Sequence, residues 1–288
     1  MIQLSGMPFY QNTMWPADRI ESIIFQRMND APDVYSYQSI SELLFEIRLR
    51  ENIIASARKM NDGDSQFEPF EKSRCNPQYW YLTAVGGFQL KRGALPSEAI
   101  RDIYRNSSLY AFECATAKMI IYYHAVLHSI GDYSFNRFFQ NIYLYSWHAN
   151  PALGIETVKT NYFLPGDVVY FNNPDFDPNT SWWRGENAVV LEDGTCFGHG
   201  LGIETPSQII HALNKRRKPG SSQSAYLKQS ATRPSFKQLE KLSLLPRGYN
   251  THPKQLIIFH NKSSISMERY LLYLNKAYQQ TAHIYPFM

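Results

Sequence analysis

The segment Tyr110-Ala111-Phe112-Glu113-Cys114-Ala115-Thr116-Ala117 places a thiol where a polar stretch gives way to a long apolar helix. Apolar residues recur at helical spacing, which predicts a helix over about 109–129 with Ser107 or Ser108 as N-cap. Cys114 would lie in or just after the first turn. Unpaired backbone N–H groups and the helix dipole there stabilise a thiolate or an oxyanion. A small buried hydrophobe fits the same position, so the neighbours of the thiol must decide.

Composition indicates a folded protein with a substantial core. The chain has 288 residues, of which 44% are hydrophobic and 19% charged, and its formal charge is only +4. The basic cluster 215–218 follows a predicted helix and is interpreted as a solvated helix end rather than a nucleic-acid site. No run of about 18 to 20 apolar residues could span a bilayer, and no leader pattern opens the chain. We therefore expect a soluble protein that is retained in the cell, with neither a membrane nor a nucleic acid as partner.

The cysteines and acidic residues give no metal-binding pattern. Cys75, Cys114 and Cys196 cannot all pair, and they lack Cys-x-x-Cys spacing, which favours reduced thiols in the cytosol. The segment Asp175-Phe176-Asp177 resembles a ligand pair, but no calcium-loop spacing follows, and Pro178 indicates a turn. We expect no metal and no cofactor.

The order of predicted elements indicates an α+β protein. Helices are predicted first, then a short hairpin, the thiol helix, several strands, and a tail with one more strand and helix. The predicted helices are 16–28, 39–60, 95–105, 109–129, 205–218 and 267–278. The predicted strands are 79–83, 88–90, 142–147, 168–171, 187–191, 196–199 and 256–259. The thiol helix would pack on a mainly antiparallel sheet, with additional helices around this core.

A hairpin around Asp193-Gly194 supplies candidate partners for the thiol. With these two residues as the turn, residue 188 faces His199, and Glu186 becomes its diagonal neighbour on the same face. Glycines around His199 permit close approach of another chain or a substrate. A thiol, a carboxylate and an imidazole could meet where the helix packs on the sheet. His199 could equally be an ordinary hydrogen-bonded residue, and Glu186 a solvated carboxylate.

Four ordered motifs are similar to those of a known family. They are the segment around Cys114, Phe176-Asp177-Pro178 leading to Trp183-Arg184-Gly185-Glu186-Asn187, Phe197-Gly198-His199-Gly200-Leu201-Gly202-Ile203, and Gln223-Ser224-Ala225-Tyr226-Leu227. Here the chain resembles the small, calcium-independent protein-glutamine gamma-glutamyltransferases (transglutaminases) of spore-forming bacilli. The resemblance covers about residues 1–245. It implies a papain-like core related to the NlpC/P60 cysteine peptidases, a site in a tunnel, and cross-linking of spore coat proteins in the sporulating cell.

The resemblance also assigns roles by position. It implies Cys114 as nucleophile, Glu186 as its main acid/base partner, His199 as the third member, and Glu113 as a carboxylate that can substitute for Glu186. It implies a catalytic domain over 1–245, and the remaining residues, 246–288, depart from the family pattern as an extension of unknown role. Protein glutamine donors and lysine acceptors would be the partners, with no cofactor and no calcium.

The implied chemistry requires the proton affinities of the thiol and the carboxylate to approach each other. Free Glu and free Cys differ by roughly 4 pKa units. Trp182, Trp183 and Trp147 are candidates to desolvate Glu186 and raise its pKa, while the helix start would lower that of Cys114. We expect a neutral thiol hydrogen-bonded to a carboxylate, because two adjacent anions repel. An enclosed aromatic site, with Trp147 and Trp183 as substrate-binding residues, would protect a thioester from water.

Two other functions remain open at this stage. The same constellation suits an NlpC/P60-like cysteine amidase or peptidase, in which water accepts the acyl group. A coat or scaffold protein that retains the fold without the chemistry is the third hypothesis. The oxyanion of a tetrahedral intermediate could meet the backbone N–H of Cys114, and the second donor is not evident from the sequence.

Overall fold

A computed structural model describes residues 1–10, 15–245, 256–260 and 264–284, in which helices surround a six-stranded sheet. The helices are α1 (Ile20–Asp30), α2 (Ile40–Asn61), α3 (Pro96–Arg105), α4 (Cys114–Phe138), α5 (Pro206–Asn214), α6 (Phe236–Leu244) and α7 (Met267–Ile284). The strands are β1 (Ile2–Leu4), β2 (Met7–Pro8), β3 (Tyr35–Tyr37), β4 (Gln66–Phe67), β5 (Trp80–Leu82), β6 (Phe88–Leu90), β7 (Ala111–Phe112), β8 (Tyr143–Leu144), β9 (Glu156–Lys159), β10 (Val168–Asn172), β11 (Gly185–Val190), β12 (Cys196–Gly198), β13 (Gly202–Glu204) and β14 (Tyr226–Arg233).

The central sheet is antiparallel throughout, in the order β13-β12-β11-β10-β14-β9. Strand β11 lies inside it and all six of its residues are buried. Apolar helix α4 packs against β11, with almost every residue of its first four turns buried. The predicted α+β class, with the thiol helix on a mainly antiparallel sheet, is thus confirmed as a mixed helix and sheet fold.

A buried charge cluster joins α2 to the central sheet. The guanidinium of Arg50 donates to Glu46 and to Asp167, each at 2.9 Å, and Arg233 of β14 donates to Asp167 at 2.8 Å. The charges of this cluster are buried, so loss of one partner would leave an uncompensated charge in the core. This cluster fixes α2 relative to the strand ends that support the site.

Helix α4 begins later than predicted. Its first residue is Cys114, and its N-cap is Glu113 rather than Ser107 or Ser108. Residues 107–109 form a separate short 3₁₀ turn, and β7 then pairs with β4 in parallel. Residues 111–112, which the helical periodicity assigned to the helix, pair with β4 as a strand instead. Beyond the predicted end at 129, α4 continues past Gly131, whose φ of 77° marks a kink.

The predicted register of the β11–β12 hairpin is wrong by one residue. In the structure Ala188 pairs with Gly198 and Val190 with Cys196. The loop contains three residues, Glu192 to Gly194, because Leu191 N–H donates to the Thr195 carbonyl oxygen at 2.9 Å. Gly194 takes the positive φ of 83° that such a loop requires. Ala188 therefore faces Gly198 rather than His199, and continuing this register puts Gly200 opposite Glu186.

Some of the other predicted elements are confirmed by the structure, and others are not. Helix α2, helix α3 and the β5–β6 hairpin are confirmed, and α7 is observed but runs further, to Ile284. The predicted strand 256–259 is not a strand in the structure. The elements that were not predicted are helix α6 and strands β1, β2, β3, β4, β7, β9, β13 and β14. Among the residues that the structure describes, no helix has the length and apolar content needed to cross a membrane.

Candidate active site

The Cys114 thiol is fully buried and lies at the start of α4. Its sulfur is 2.6 Å from the Ser264 hydroxyl oxygen and accepts a hydrogen bond from Asn187 Nδ2 at 3.3 Å. Burial, then the negative charges of Glu186 and Glu113, raise the pKa of the thiol well above its usual value. The predicted lowering of this pKa by the helix start is therefore outweighed, and the predicted neutral thiol is what these surroundings favour.

Glu186 is a buried carboxylate with free oxygens. It is 0% exposed, and neither carboxylate oxygen has a hydrogen-bond partner of good geometry within the described part of the chain, although the backbone N–H groups of Gly200 and His199 lie close enough to lower its pKa. Burial raises the pKa of Glu186 to about 7, with Lys118 acting in the opposite direction and Glu113 adding to the rise. The predicted hydrogen bond between this carboxylate and the thiol is not formed in the structure, where Ser264 and Asn187 contact the sulfur. A carboxylate with this pKa and no fixed partner can take up a proton near neutral pH.

Glu113 is occupied as the N-cap of α4. Its two oxygens accept the backbone N–H groups of Ala115 and Thr116 at 2.9 and 2.7 Å, and the Thr116 hydroxyl at 3.0 Å. Burial nevertheless raises the pKa of this carboxyl. Glu113 therefore lies next to the thiol and also caps the start of α4, a structural role that Glu186 does not have.

His199 lies in an aromatic cluster beside the site. Its ring stacks on Phe112 at 4.5 Å between centroids, and its Nε2 is 3.2 Å from the Gln66 carbonyl oxygen. Although the residue keeps part of its surface accessible, loss of water around the packed ring and then the charge of Lys118 lower the pKa of His199 to about 3. The imidazole is thus neutral, and its recorded hydrogen bond goes to the backbone of β4 rather than to Glu186.

The two tryptophans predicted to bind substrate lie in different surroundings. Trp147 is 1% exposed, and its indole Nε1 donates to the Ile265 carbonyl oxygen at 3.0 Å. Trp183 is partly exposed and packs on Phe67 at 5.2 Å between ring centroids. A carbon added at Gly200 would lie 3.1 Å from atoms of both rings of that pair. Trp183 therefore forms an outer aromatic wall, while Trp147 lies deep in the site.

Lys118 is a site residue that sequence reasoning missed. It lies one helical turn after Cys114, is 0% exposed, and donates from Nζ to the Phe197 carbonyl oxygen at 3.0 Å. Burial lowers its pKa to about 8, against the opposing effect of Glu186. A lysine four residues after the thiol, on an otherwise apolar helix, was the signal that could have revealed it.

Asn187 and Ser264 are two further residues that the sequence did not indicate. Asn187 follows Glu186 directly, and its Nδ2 contacts the Ile265 carbonyl oxygen at 3.0 Å in addition to the thiol. Ser264 lies 150 positions after Cys114 in the sequence, so no local pattern could have paired them. Within the described ranges, no group of three or more His, Cys, Asp or Glu side chains is placed to hold a metal ion.

A buried thiol at a helix start, next to a carboxylate whose pKa lies near 7, is an arrangement compatible with an enzyme that uses a cysteine nucleophile. Comparison with known proteins gives the family. A family model described as protein-glutamine gamma-glutamyltransferase matches residues 1–243. A protein-glutamine gamma-glutamyltransferase of Halalkalibacterium halodurans is 51% identical over 275 residues, which cover 95% of this chain and 97% of the relative. One from Bacillus subtilis is 45% identical over 219 residues, covering 76% and 89% of the two chains.

A solved structure agrees with the sequence relatives. The transglutaminase from Geobacillus stearothermophilus, described as being without C-terminal extension, matches with a TM-score of 0.69 at 50% identity. The match covers 72% of this chain and 100% of that chain. The present chain therefore belongs to the protein-glutamine gamma-glutamyltransferase family, which makes it an acyltransferase.

Proposed function

We propose that this protein joins protein glutamine side chains to lysine side chains through a thioester on Cys114, with Glu186 as the acid/base group. The observation that carries the proposal is the fully buried Glu186 carboxylate, which is unpartnered and raised in pKa to about 7 beside the fully buried thiol. The pKa of a free carboxylate lies far below that of a thiol, and burial narrows the gap.

The first half-reaction forms the thioester. Glu186 takes the proton of the Cys114 thiol as the sulfur attacks the glutamine side-chain carbonyl carbon, and a tetrahedral oxyanion forms. When the carbon–nitrogen bond breaks, protonated Glu186 returns the proton to the leaving nitrogen, and ammonia departs. The carboxylate is thereby regenerated, and the acyl group remains on sulfur.

The second half-reaction transfers the acyl group. A neutral lysine amine attacks the thioester carbonyl carbon while Glu186 takes a proton from the amine nitrogen. The carbon–sulfur bond then breaks, and the sulfur leaves with that proton as the thiol. An isopeptide bond is the product. The buried surroundings of the thiol favour this outcome over hydrolysis, because they limit access of water to the thioester.

The supporting residues are proposed in narrower roles. Glu113 holds the start of α4 in place and can act as a second carboxylate near sulfur. His199 positions the β12–β13 turn next to Glu186 through its stacking on Phe112 and its contact with Gln66. Trp147 and Trp183 are proposed to bind the substrate, from the depth and the outer wall of the site respectively. The papain-like relationship of the core, the catalytic domain over 1–245, independence of calcium and a role in spore coat assembly are expectations from the family resemblance.

The test is incorporation of a labelled primary amine into a glutamine-containing protein in a chelating buffer. The parent protein should form isopeptide products that mass spectrometry identifies. Cys114→Ala should abolish them, and Glu186→Gln should lower the rate by at least about a hundredfold, as loss of an acid/base group does. Deamidated or cleaved product without isopeptide bonds would favour the amidase or peptidase. Calcium restoring an absent activity would contradict calcium independence, and absence of the protein from purified spore coats would contradict that location.

A further inference from the structure

The carboxy-terminal extension reaches into the candidate active site. Ser264 and Ile265 are each 2% exposed, and they lie against Cys114, Asn187 and Trp147. The Ser264 carbonyl oxygen also accepts the Tyr170 hydroxyl at 3.3 Å. The extension thus gives main-chain and side-chain groups to the same few residues that surround the thiol.

The Ile265 carbonyl oxygen is held by two converging donors. Asn187 Nδ2 and Trp147 Nε1 both donate to it at 3.0 Å, and the same Asn187 nitrogen lies 3.3 Å from the Cys114 sulfur. The Ile265 carbonyl oxygen therefore shares one of its donors with the Cys114 sulfur. Two preorganised donors at such a point are the arrangement that stabilises a developing oxyanion.

Further contacts hold the extension on either side of Ser264 and Ile265. The His260 carbonyl oxygen accepts the Tyr145 hydroxyl at 2.8 Å, and His260 Nε2 is 2.7 Å from the Ser146 hydroxyl oxygen. On the carboxy-terminal side of Ser264, Glu268 forms an ion pair with Lys228, and Tyr270 is buried with only 3% of its surface exposed. The segment at the thiol is therefore held by the catalytic part of the chain on both sides.

The relatives differ in how much of this chain they align with. The Halalkalibacterium halodurans relative aligns with 95% of this chain, whereas the Bacillus subtilis relative aligns with 76%. The Geobacillus stearothermophilus structure, without its C-terminal extension, accounts for 72%. An occupant of the site that belongs to the extension can thus differ between members whose catalytic parts align.

We propose that residues 264–266 occupy the acyl-donor site as a substrate mimic, so that Trp147 and Asn187 are the side-chain donors that receive the glutamine amide oxygen in the reaction. This inference rests on the proposed function for the identity of the substrate. Two consequences follow and are tested separately: the full chain limits access to its own thiol, so that the parent reacts more slowly than a protein with a loosened extension, and loss of an indole N–H at the carbonyl site slows acyl transfer specifically.

Occupancy is tested in the full chain by disulfide capture. Ser264→Cys would place a second sulfur beside Cys114, and mild oxidation should link the two residues, as peptide mapping would detect. The variant Ser266→Cys is the matched control, because the Ser266 hydroxyl accepts the Arg269 N–H instead of contacting the thiol. Absence of the 114–264 disulfide, or equal linkage in the control, would overturn the proposal without reference to any enzymatic activity.

Self-blocking is tested by loosening the extension away from the thiol. Tyr270→Ala removes a buried anchor, and Leu272→Ala changes a 68% exposed residue of the same helix as the control. Alkylation of Cys114 by iodoacetamide should be at least about tenfold faster in Tyr270→Ala and within about twofold of the parent in the control. Ile265→Asp, which puts a charge in the buried segment, should act like Tyr270→Ala. Unchanged alkylation in both would contradict self-blocking.

The donors are tested in the opened Tyr270→Ala protein. Trp147→Phe keeps the ring and removes the N–H, and it should lower kcat for amine transfer about a hundredfold, as loss of one oxyanion donor does, with little change in KM. Iodoacetamide alkylation, which forms no oxyanion, should stay within about twofold. Trp80→Phe, at a buried tryptophan that packs on Phe88, is the control.

Three results are distinguishable. Unchanged kcat in Trp147→Phe, or an equal fall in kcat and alkylation, would overturn the donor assignment while cross-linking itself persists. If no protein in the series transfers acyl groups, the proposed function fails, and the disulfide and alkylation results still decide occupancy.

Discussion

Lys118 and Glu186 are both buried and close enough for each to shift the pKa of the other, and the ammonium of Lys118 donates to the Phe197 carbonyl oxygen rather than to the Glu186 carboxylate. Lys118 therefore stabilises the ionised carboxylate through space and leaves its oxygens available. A direct ion pair would lower the basicity of Glu186 further and would have to break in each cycle.

This relationship predicts a shifted pH profile for Lys118→Met. The positive charge lowers the pKa of Glu186, so its removal raises that pKa, and the basic form is reached only at higher pH. The acid limb of kcat/KM for amine transfer should move to higher pH by about one unit or more, with reduced rate near pH 7. Lys118→Arg should move it less, and the exposed Lys237→Met should leave it in place. A limb at the parent position in Lys118→Met would contradict the electrostatic role.

Glu186 should also destabilise the fold at high pH. Its pKa is raised from 4.5 to about 7, so between these values the folded protein holds a proton that the unfolded chain has released. Stability from this group is present at low pH and is lost as the pH rises towards about 7. Glu186→Gln should become more stable than the parent by roughly 1 to 3 kcal/mol between about pH 5 and pH 8. Thermal unfolding at both pH values measures this, with Asp64→Asn as the matched substitution of an exposed carboxylate.

Glu113 should contribute to the stability of the fold, whereas Glu186 should contribute mainly to catalysis. Loss of an N-cap costs about 0.5–2 kcal/mol, and Glu113 accepts two backbone N–H groups at the start of α4. We expect Glu113→Ala to lower the free energy of unfolding by about that amount, measured by urea denaturation. Glu113→Gln, which keeps an acceptor oxygen, should recover part of the stability and retain more amine transfer than Glu186→Gln. Equal activity losses in the two Gln variants would argue for equal chemical roles.

Gly198 sets the position of the Glu186 side chain. A carbon added there would lie 2.9 Å from Glu186 Cγ and 3.0 Å from Oε1. Gly198→Ala should therefore displace the carboxylate and lower kcat at least about tenfold while the protein stays folded. Gly63→Ala is the control, because its added carbon meets only the movable Ser107 side chain closely. Amine incorporation and thermal unfolding of both variants would separate a displaced base from general damage.

The sequence was informative where local patterns carry the structure. The long apolar helix that carries Cys114, the buried strand directly after Glu186 and the helical face of α2 follow from periodicity, and the structure contains all three. The hairpin register failed because Asp193-Gly194 fits a two-residue or a three-residue loop, and only the strand pairing decides between them. The start of α4 failed because β7 pairs with β4, a contact between distant segments.

The surroundings of the thiol were beyond sequence reasoning for a related reason. Ser264 and Ile265 reach Cys114, Asn187 and Trp147 from the end of the chain, and no periodicity encodes such a contact. The pKa of Cys114 was misjudged in consequence, because full burial and two carboxylates outweigh the helix start.

The segment that covers the thiol is part of the same chain, and this determines how the block responds to concentration. A tethered occupant rebinds at an effective concentration set by its linker, which for short connections reaches the millimolar range. Dilution of the enzyme therefore cannot release it. A competing glutamine protein must bind far more tightly than it would need to if the occupant were a free peptide. A change in the extension itself, by substitution of its contacts, by cleavage or by capture of α7 elsewhere, alters that balance instead.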